Sequence, residues 1–250
     1  MKIRGALYME LTGIVAVVSG SSSGVGLAAL KALVQKGAHV VALARDEQNL
    51  INAIDSIHPD FKKNIITIAT DVRNETSVRI AIDQAASKFG HIDILINAAG
   101  VSMSGKQLVQ DIDLAEWNRI METNLTGTFL MCREVLLKMV ERNNGYIINI
   151  LSTAAFQASG GNSIYAASKF GARALTEAMI AANRRSGIRV TSISPGAIDT
   201  NIWTHKMNAV SQESRDTMLK AESIADIILF LVSQPPEVHI ENITVTPWYR

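Results

Sequence analysis

Short runs of β-branched and aliphatic residues recur along this chain, and longer stretches with helical spacing separate them. The runs lie at Ile14–Val18, Val40–Ala44, Ile65–Ala69, Ile92–Ile96, Tyr146–Leu151, Ile188–Ile193 and Ile243–Val245. The helical stretches fall at Val25–Gln35, Gln48–Ile57, Ser77–Phe89, Trp117–Val140, Tyr165–Asn183 and Ser223–Val232. Strands so continuously apolar leave no face for water, so both faces need covering. The alternation therefore predicts an α/β fold: a doubly wound, seven-stranded parallel sheet flanked by helices on both faces. Sheets of this kind bind ligands along their carboxyl edge.

No internal repeat, low-complexity tract or Pro/Gly-rich linker divides the 250 residues, so a single domain over 1–250 is expected. One stretch, 201–222, breaks the rhythm with Trp203, Met207 and Met218 among polar residues. It reads either as a lid over a substrate or as a surface excursion whose apolar side chains tuck onto the core. Hydrophobic residues at 48% and charged residues at 19% give material for a core and exclude a disordered chain. The net charge of +1 is spread along the sequence, without the basic stripe that nucleic acid or an anionic membrane needs as a partner. No apolar run approaches the ~20 residues of a membrane span, so a cytoplasmic location is the default. Cys132 stands alone in an apolar helical context and reads as core, and the five His residues show no metal-ligand spacing, so no metal is expected.

The first strand runs into Ser19-Gly20-Ser21-Ser22-Ser23-Gly24-Val25-Gly26 and then a helix. Glycine lets backbone turn tightly and approach a pyrophosphate, while the helix start offers unpaired N–H groups and a positive dipole end. Gly20, Ser22, Ser23, Gly24, Val25 and Gly26 are thus expected to hold a dinucleotide in a Rossmann-type fold. At the end of the second strand, where an acid would bind the ribose of NAD, stand Ala44 and Arg45. Arg45 can pair with the extra phosphate of NADP, so NADP(H) is favoured over NAD(H). Asp46 leaves a second path open: it can reach a ribose, or cap the following helix.

Tyr165 and Lys169 lie four apart, one turn along a helix face. A neighbouring ammonium favours phenolate and lowers a phenol pKa from its ordinary ~10, which makes proton transfer practical. Ser152, thirteen residues before Tyr165, closes the fifth strand and can hold a substrate oxygen toward the phenol.

These motifs, in this order and over nearly the whole chain, resemble the short-chain dehydrogenase/reductase family. Ser19–Gly26 is similar to its glycine motif, Asn97-Ala98-Ala99-Gly100 to its Asn-x-Ala-Gly segment, and Tyr165-x-x-x-Lys169 with Ser152 to its catalytic set. The resemblance implies that Asn124 joins Ser152, Tyr165 and Lys169 through a water relay. It implies that Asp71 and Val72 contact adenine, and that Asn97, Ala98 and Gly100 lie beside the cofactor. It also implies that Pro195-Gly196-Ala197-Ile198-Asp199-Thr200 walls the nicotinamide, with Ile198 backbone and the Thr200 hydroxyl on its carboxamide. The expected activity is hydride transfer between NADP(H) and a carbonyl or secondary alcohol, in a homodimer or homotetramer packed through the two longest helices. A β-ketoacyl thioester is the alternative substrate, and a catalytically silent dinucleotide sensor the alternative function.

Three departures from the family pattern stand out. Ser19 replaces the usual Thr and keeps its hydroxyl. Ser23 lies where many NADP-using members carry a basic residue, which leaves Arg45 alone on the phosphate. Val238–Pro247 replaces the Gly-rich ending of fatty-acid ketoreductases and is more similar to members acting on small hydroxy acids or general carbonyls.

Overall fold

The computed structural model describes residues 10–203 and 211–248. The elements are β1 (Val15–Ser19), α1 (Gly24–Gln35), β2 (His39–Ala44), α2 (Glu47–Asp55), the single turn α3 (Pro59–Lys62), β3 (Ile65–Ala69), α4 (Glu75–Phe89) and β4 (Ile94–Asn97). Then come α5 (Leu114–Met121), α6 (Gly127–Val140), β5 (Gly145–Ile150), α7 (Ser163–Asn183) and β6 (Ile188–Pro195). The chain ends through β7 (Ile198–Asp199), α8 (Gln212–Asp216), β8 (Leu219–Lys220), α9 (Ala221–Val232) and β9 (Asn242–Val245).

Seven strands form one parallel sheet in the order β3-β2-β1-β4-β5-β6-β9. The expected doubly wound architecture is therefore present. The chain builds outward from β1 to β3, then returns to start β4 on the other side of β1. That reversal opens a crevice at the carboxyl ends of β1 and β4. Period-two alternation sends successive strand side chains to opposite faces. Ala16, Val18, Val40 and Ile96 join Leu30 and Leu33 of α1 and Ile224 and Ile228 of α9 in one core layer. Val17, Val41, Leu95 and Ile147 join Ile82 of α4, Val135 of α6 and Ile180 of α7 in the other. Cys132 belongs to this second layer, where burial pushes its thiol up to about 12, so it is an inert packing group. Each Leu or Ile so buried contributes about 1.5–3 kcal/mol.

The structure departs from the sequence reading in two places that matter for the site. The single helix expected over Trp117–Val140 starts earlier, at Leu114, where the Asp113 carboxylate accepts from Glu116 N at 2.7 Å as N-cap. It is then interrupted by a π turn at Glu122–Thr126 before α6 resumes. The extra residue rotates the helix so that Asn124 points inward and Gly127 sits against Val72, where a Cβ would lie 2.8 Å from Val72 Cγ2. The second departure concerns 201–222: β8 within it pairs in parallel with β7 just before it, as a separate two-stranded ladder. Asp199 there takes Arg215 and Lys220, each at 3.0 Å. Trp203 Nε1 donates to Ile198 O at 2.6 Å, and Met207 lies outside the described residues. Among the described residues no helix is long and apolar enough to cross a membrane.

Candidate active site

A cleft of about 700 Å³ runs along the carboxyl edge of the sheet. Its one end is formed by Arg45 after β2 and Asp71 after β3, its other by Ser152 after β5 and Tyr165 on α7. The glycine loop lies between them. Gly20 has φ +72, and a Cβ there would stand 2.8 Å from Ala99 N. Only glycine satisfies both demands. A Cβ on Gly26 would meet Gly20 O at 2.3 Å, so this glycine lets α1 start against its own loop; it sits behind the cleft wall. Ser19 Oγ accepts from Ala98 N at 3.2 Å and Ala99 N at 3.3 Å, tying the ends of β1 and β4 together. The hydroxyl kept at this position thus has a structural task.

Gly20, Ser22, Ser23, Gly24 and Val25 line the cleft. Ser23 is the N-cap of α1, yet its side chain makes no capping hydrogen bond, so the first-turn N–H groups keep their capacity for an outside acceptor. A loop that side chains would block and an uncapped helix start fit a pyrophosphate.

At the far end, Asp46 lines the cleft and its Oδ1 accepts from Asn49 N at 2.7 Å, capping α2. Arg45 stays exposed on the cleft wall. Asp71 and Val72 line the same end. The Asp71 carboxylate is clamped by Arg73, with Nη2 at 2.6 Å and Nε at 3.0 and 3.1 Å. This hydrogen bonding, helped by the charges of Arg73 and Arg45, holds its carboxyl below the usual range against the opposing effect of burial. Sequence reasoning passed over Arg73, although a cation beside a motif acid was a readable signal.

At the reacting end, Ser152 follows β5 and its Oγ accepts from Ala154 N at 3.1 Å. Burial pushes the Tyr165 phenol above its ordinary value, and its hydrogen bond with Ser152 works in the other direction. Lys169 is 6% exposed, its Nζ donates to Ile150 O at 3.0 Å and lies 5.8 Å from the Tyr165 ring centre. Burial pushes this ammonium down to about 8. The expected depression of the phenol by Lys169 is not seen here: desolvation raises it, and the lowering pull comes from Ser152.

Asn124 is buried beneath this group. Its Oδ1 accepts from Val101 N at 2.8 Å, and its Nδ2 donates to Val101 O at 2.9 Å and Ser168 Oγ at 3.0 Å. The backbone carbonyl of Asn124, displaced by the π turn, accepts from Thr128 Oγ1 at 2.8 Å. A Cβ added to Gly100 would lie 3.4 Å from Asn124 Oδ1 and 3.8 Å from Lys169 Nζ, so these two groups converge on Gly100.

Ala98, Gly100, Pro195, Gly196, Ile198 and Thr200 also line the cleft. The loop after β6 lies close over the glycine loop, since a Cβ on Gly24 would be 3.2 Å from Thr200 Cγ2. Asn97, like Gly26 and Asn124, does not line the cleft. Its side chain is turned into the second core layer, donating to Asn149 Oδ1 at 2.9 Å and Cys132 Sγ at 3.2 Å, because strand alternation points it at α6. Lys106, Arg119, Gln157, Asn162 and Trp203 complete the cleft wall. They come from irregular segments and helix flanks where the sequence offers no periodicity to read.

The sequence model of the short chain dehydrogenase family matches residues 14–211. The chain belongs to that family. An uncharacterized oxidoreductase of Staphylococcus aureus (strain USA300) is 35% identical to it over 95% of this chain and 98% of the relative. Among solved structures, a metagenomic short-chain oxidoreductase in complex with NADP superposes with a TM-score of 0.81 at 26% identity, covering 96% of this chain and 100% of the other. A 3-ketoacyl-(acyl-carrier-protein) reductase from Brucella melitensis complexed with NADH gives 0.84 at 27% identity, covering 95% and 98%. The fold is thus Rossmann-type, and this short-chain dehydrogenase sits in a family of oxidoreductases.

Proposed function

We propose that this family member transfers hydride between NADP(H) and a carbonyl or secondary-alcohol substrate, with Tyr165 as general acid and base. What carries the reading is the meeting of Tyr165, Ser152 and Lys169 at one end of a cleft whose middle is shaped for a pyrophosphate. The bound nicotinamide supplies or accepts the hydride at the substrate carbon. The chain's own residues do the rest. Ser152 Oγ holds the substrate oxygen beside the phenol, and Tyr165 Oη gives that oxygen its proton in reduction and takes it back in oxidation. Burial holds the phenol above its ordinary value, so at neutral pH it carries the proton that reduction needs. Lys169 holds the ribose edge with its ammonium, and Asn124 positions the loop at Val101 while linking the site to solvent through water. Asp71 and Val72 receive adenine, Gly100 and Ala98 flank the cofactor with Asn97 bracing them from behind, and Pro195–Thr200 walls the nicotinamide.

Arg45 supports NADP over NAD, and Asp46 beside it has one carboxylate oxygen committed to the cap of α2. The chain is read as one catalytic domain, with 201–222 bordering the substrate through Trp203, and as a homo-oligomer.

Replacing Tyr165 by Phe keeps the ring and removes the proton. Turnover should fall by about 10²–10⁴. The measurement is NADPH consumption on a carbonyl panel, with nucleotide affinity measured in parallel; near wild-type turnover with intact affinity sinks the proposal.

A further inference from the structure

Resting on that reading of Tyr165, we propose that the substrate is a small carbonyl compound or alcohol bearing a carboxylate, and that Lys106 receives the carboxylate. The cleft wall on the Tyr165 side carries Ser102, Gln157, Ser159 and Asn162 beside the apolar Leu151, Ile198, Ile202 and Trp203. A wall with this many hydrogen-bonding groups among its apolar ones suits a small polar substrate better than a long acyl chain, whose binding needs a mostly apolar lining. Among the described residues the carboxylates lining the cleft are Asp46 and Asp71, both at the far end and both engaged, with the Asn49 N–H and with Arg73.

Besides Lys169 at the reacting end and Arg45 and Arg73 at the far end, the cations lining the cleft are Arg119 and Lys106, and these two differ. Arg119 is neutralised: its Nε lies 2.7 Å and its Nη2 2.9 Å from the Glu116 carboxylate, and Nη2 also donates to Ser102 O at 2.8 Å. Lys106 has no carboxylate partner among the described residues. Its stem is nonetheless fixed. Gly161 adopts φ +77, and a Cβ there would lie 2.9 Å from Lys106 Cβ and 3.4 Å from its Cγ, so the stem rests on bare backbone. Gly161 O accepts from Gln107 N at 3.3 Å, which pins the two loops together. Gly161 leads into α7 four residues before Tyr165, so the segment that carries the acid also carries the seat of the cation. A carbonyl at Tyr165 with a carboxylate at Lys106 satisfies both, and the charge-assisted pair orients the carbonyl carbon.

The experiment compares 2- and 3-oxo acids with their methyl esters and with neutral ketones, using NADPH and the full chain. The acids should exceed the esters by about tenfold or more in kcat/KM, and Lys106→Gln should collapse that ratio toward one while Lys106→Arg retains it. A preference for the esters, or an acid preference that survives Lys106→Gln, overturns the inference. Calorimetric binding of malonate against malonamide reads the same charge selectivity without turnover. Selectivity for malonate that Lys106→Gln abolishes supports the site even in a protein that reduces nothing, a result that would instead refute hydride transfer. Turnover of neutral ketones with no malonate selectivity leaves the proposed reaction standing and refutes the carboxylate seat.

Discussion

Lys169 shows how a functional residue burdens the fold. Its ammonium, held at about 8 where an exposed lysine has 10.5, is charged at neutral pH in a place that disfavours charge. The gap amounts to about 3 kcal/mol. Because the native pKa lies below the unfolded one, the unfolded chain binds more protons between pH 8 and 10.5, so this residue's cost is fully present below about pH 8 and is relieved as pH rises through that window. Lys169→Met removes the charge and keeps the stem, at the loss of the bond to Ile150 O. We expect the variant to be inactive yet more stable than the parent by about 2 kcal/mol at pH 7, with the gain fading by pH 10. Urea unfolding at both pH values checks this; equal destabilisation at both would show that Lys169 is a structural member. Arg45 makes the complementary residue-scale prediction. Arg45→Ala should lower affinity for NADP by about ten- to a hundredfold and leave NAD affinity near its starting value, read by fluorescence titration of the reduced nucleotides. Equal losses for the two nucleotides would refute a phosphate contact.

At the scale of elements, the π turn is where function overrides local preference. Sequence periodicity runs unbroken from Trp117 to Val140, and nothing in side-chain spacing announces an extra residue per turn. The break is stabilised by tertiary contacts: Asn124 with Val101 and Ser168, Thr128 with the displaced carbonyl, and Gly127 against Val72. Asn124→Ala strips three hydrogen bonds from buried partners and should destabilise the fold by about 2–4 kcal/mol while lowering turnover. Denaturant midpoints together with NADPH consumption test it; an unchanged midpoint would mean the turn holds itself. The same contrast explains what could be read beforehand. The seven strands, the glycine loop and the Tyr165 helix were legible because burial on both faces makes the strands continuously apolar, because a close backbone approach at Gly20 and Gly26 admits one residue type, and because four residues make a helical turn. Lys106 and the inward turn of Asn97 were not, since each depends on where an irregular loop or a strand end points once the sheet is assembled.

For the whole molecule, the sheet places α4, α6 and α7 together over one face, and the outer sides of the last two are unusually apolar. Phe129, Leu137 and Val140 form one exposed stripe on α6, spaced to fall on a single side of the helix. Phe170 is exposed on α7, flanked along the same side by the exposed Ala167, Ala174, Ala178 and Ala181. Small residues let a second helix approach closely, and bulky apolar neighbours gain from the burial. The exposed alanines and Phe170 sit on the helix that carries Tyr165 and Lys169, so pairing through α7 would stiffen the segment on which the proposed acid depends. Two-fold pairing of this face with its own copy is the common closed arrangement for a homo-oligomer. Leu137→Glu combined with Phe170→Glu places like charges opposite one another across such an axis. Sedimentation velocity should show the parent as a dimer or tetramer and the double variant with a smaller mass, accompanied by a lower thermal midpoint and weaker turnover. A parent that sediments as a monomer would end this reading, and so would a double variant that keeps the parent's mass.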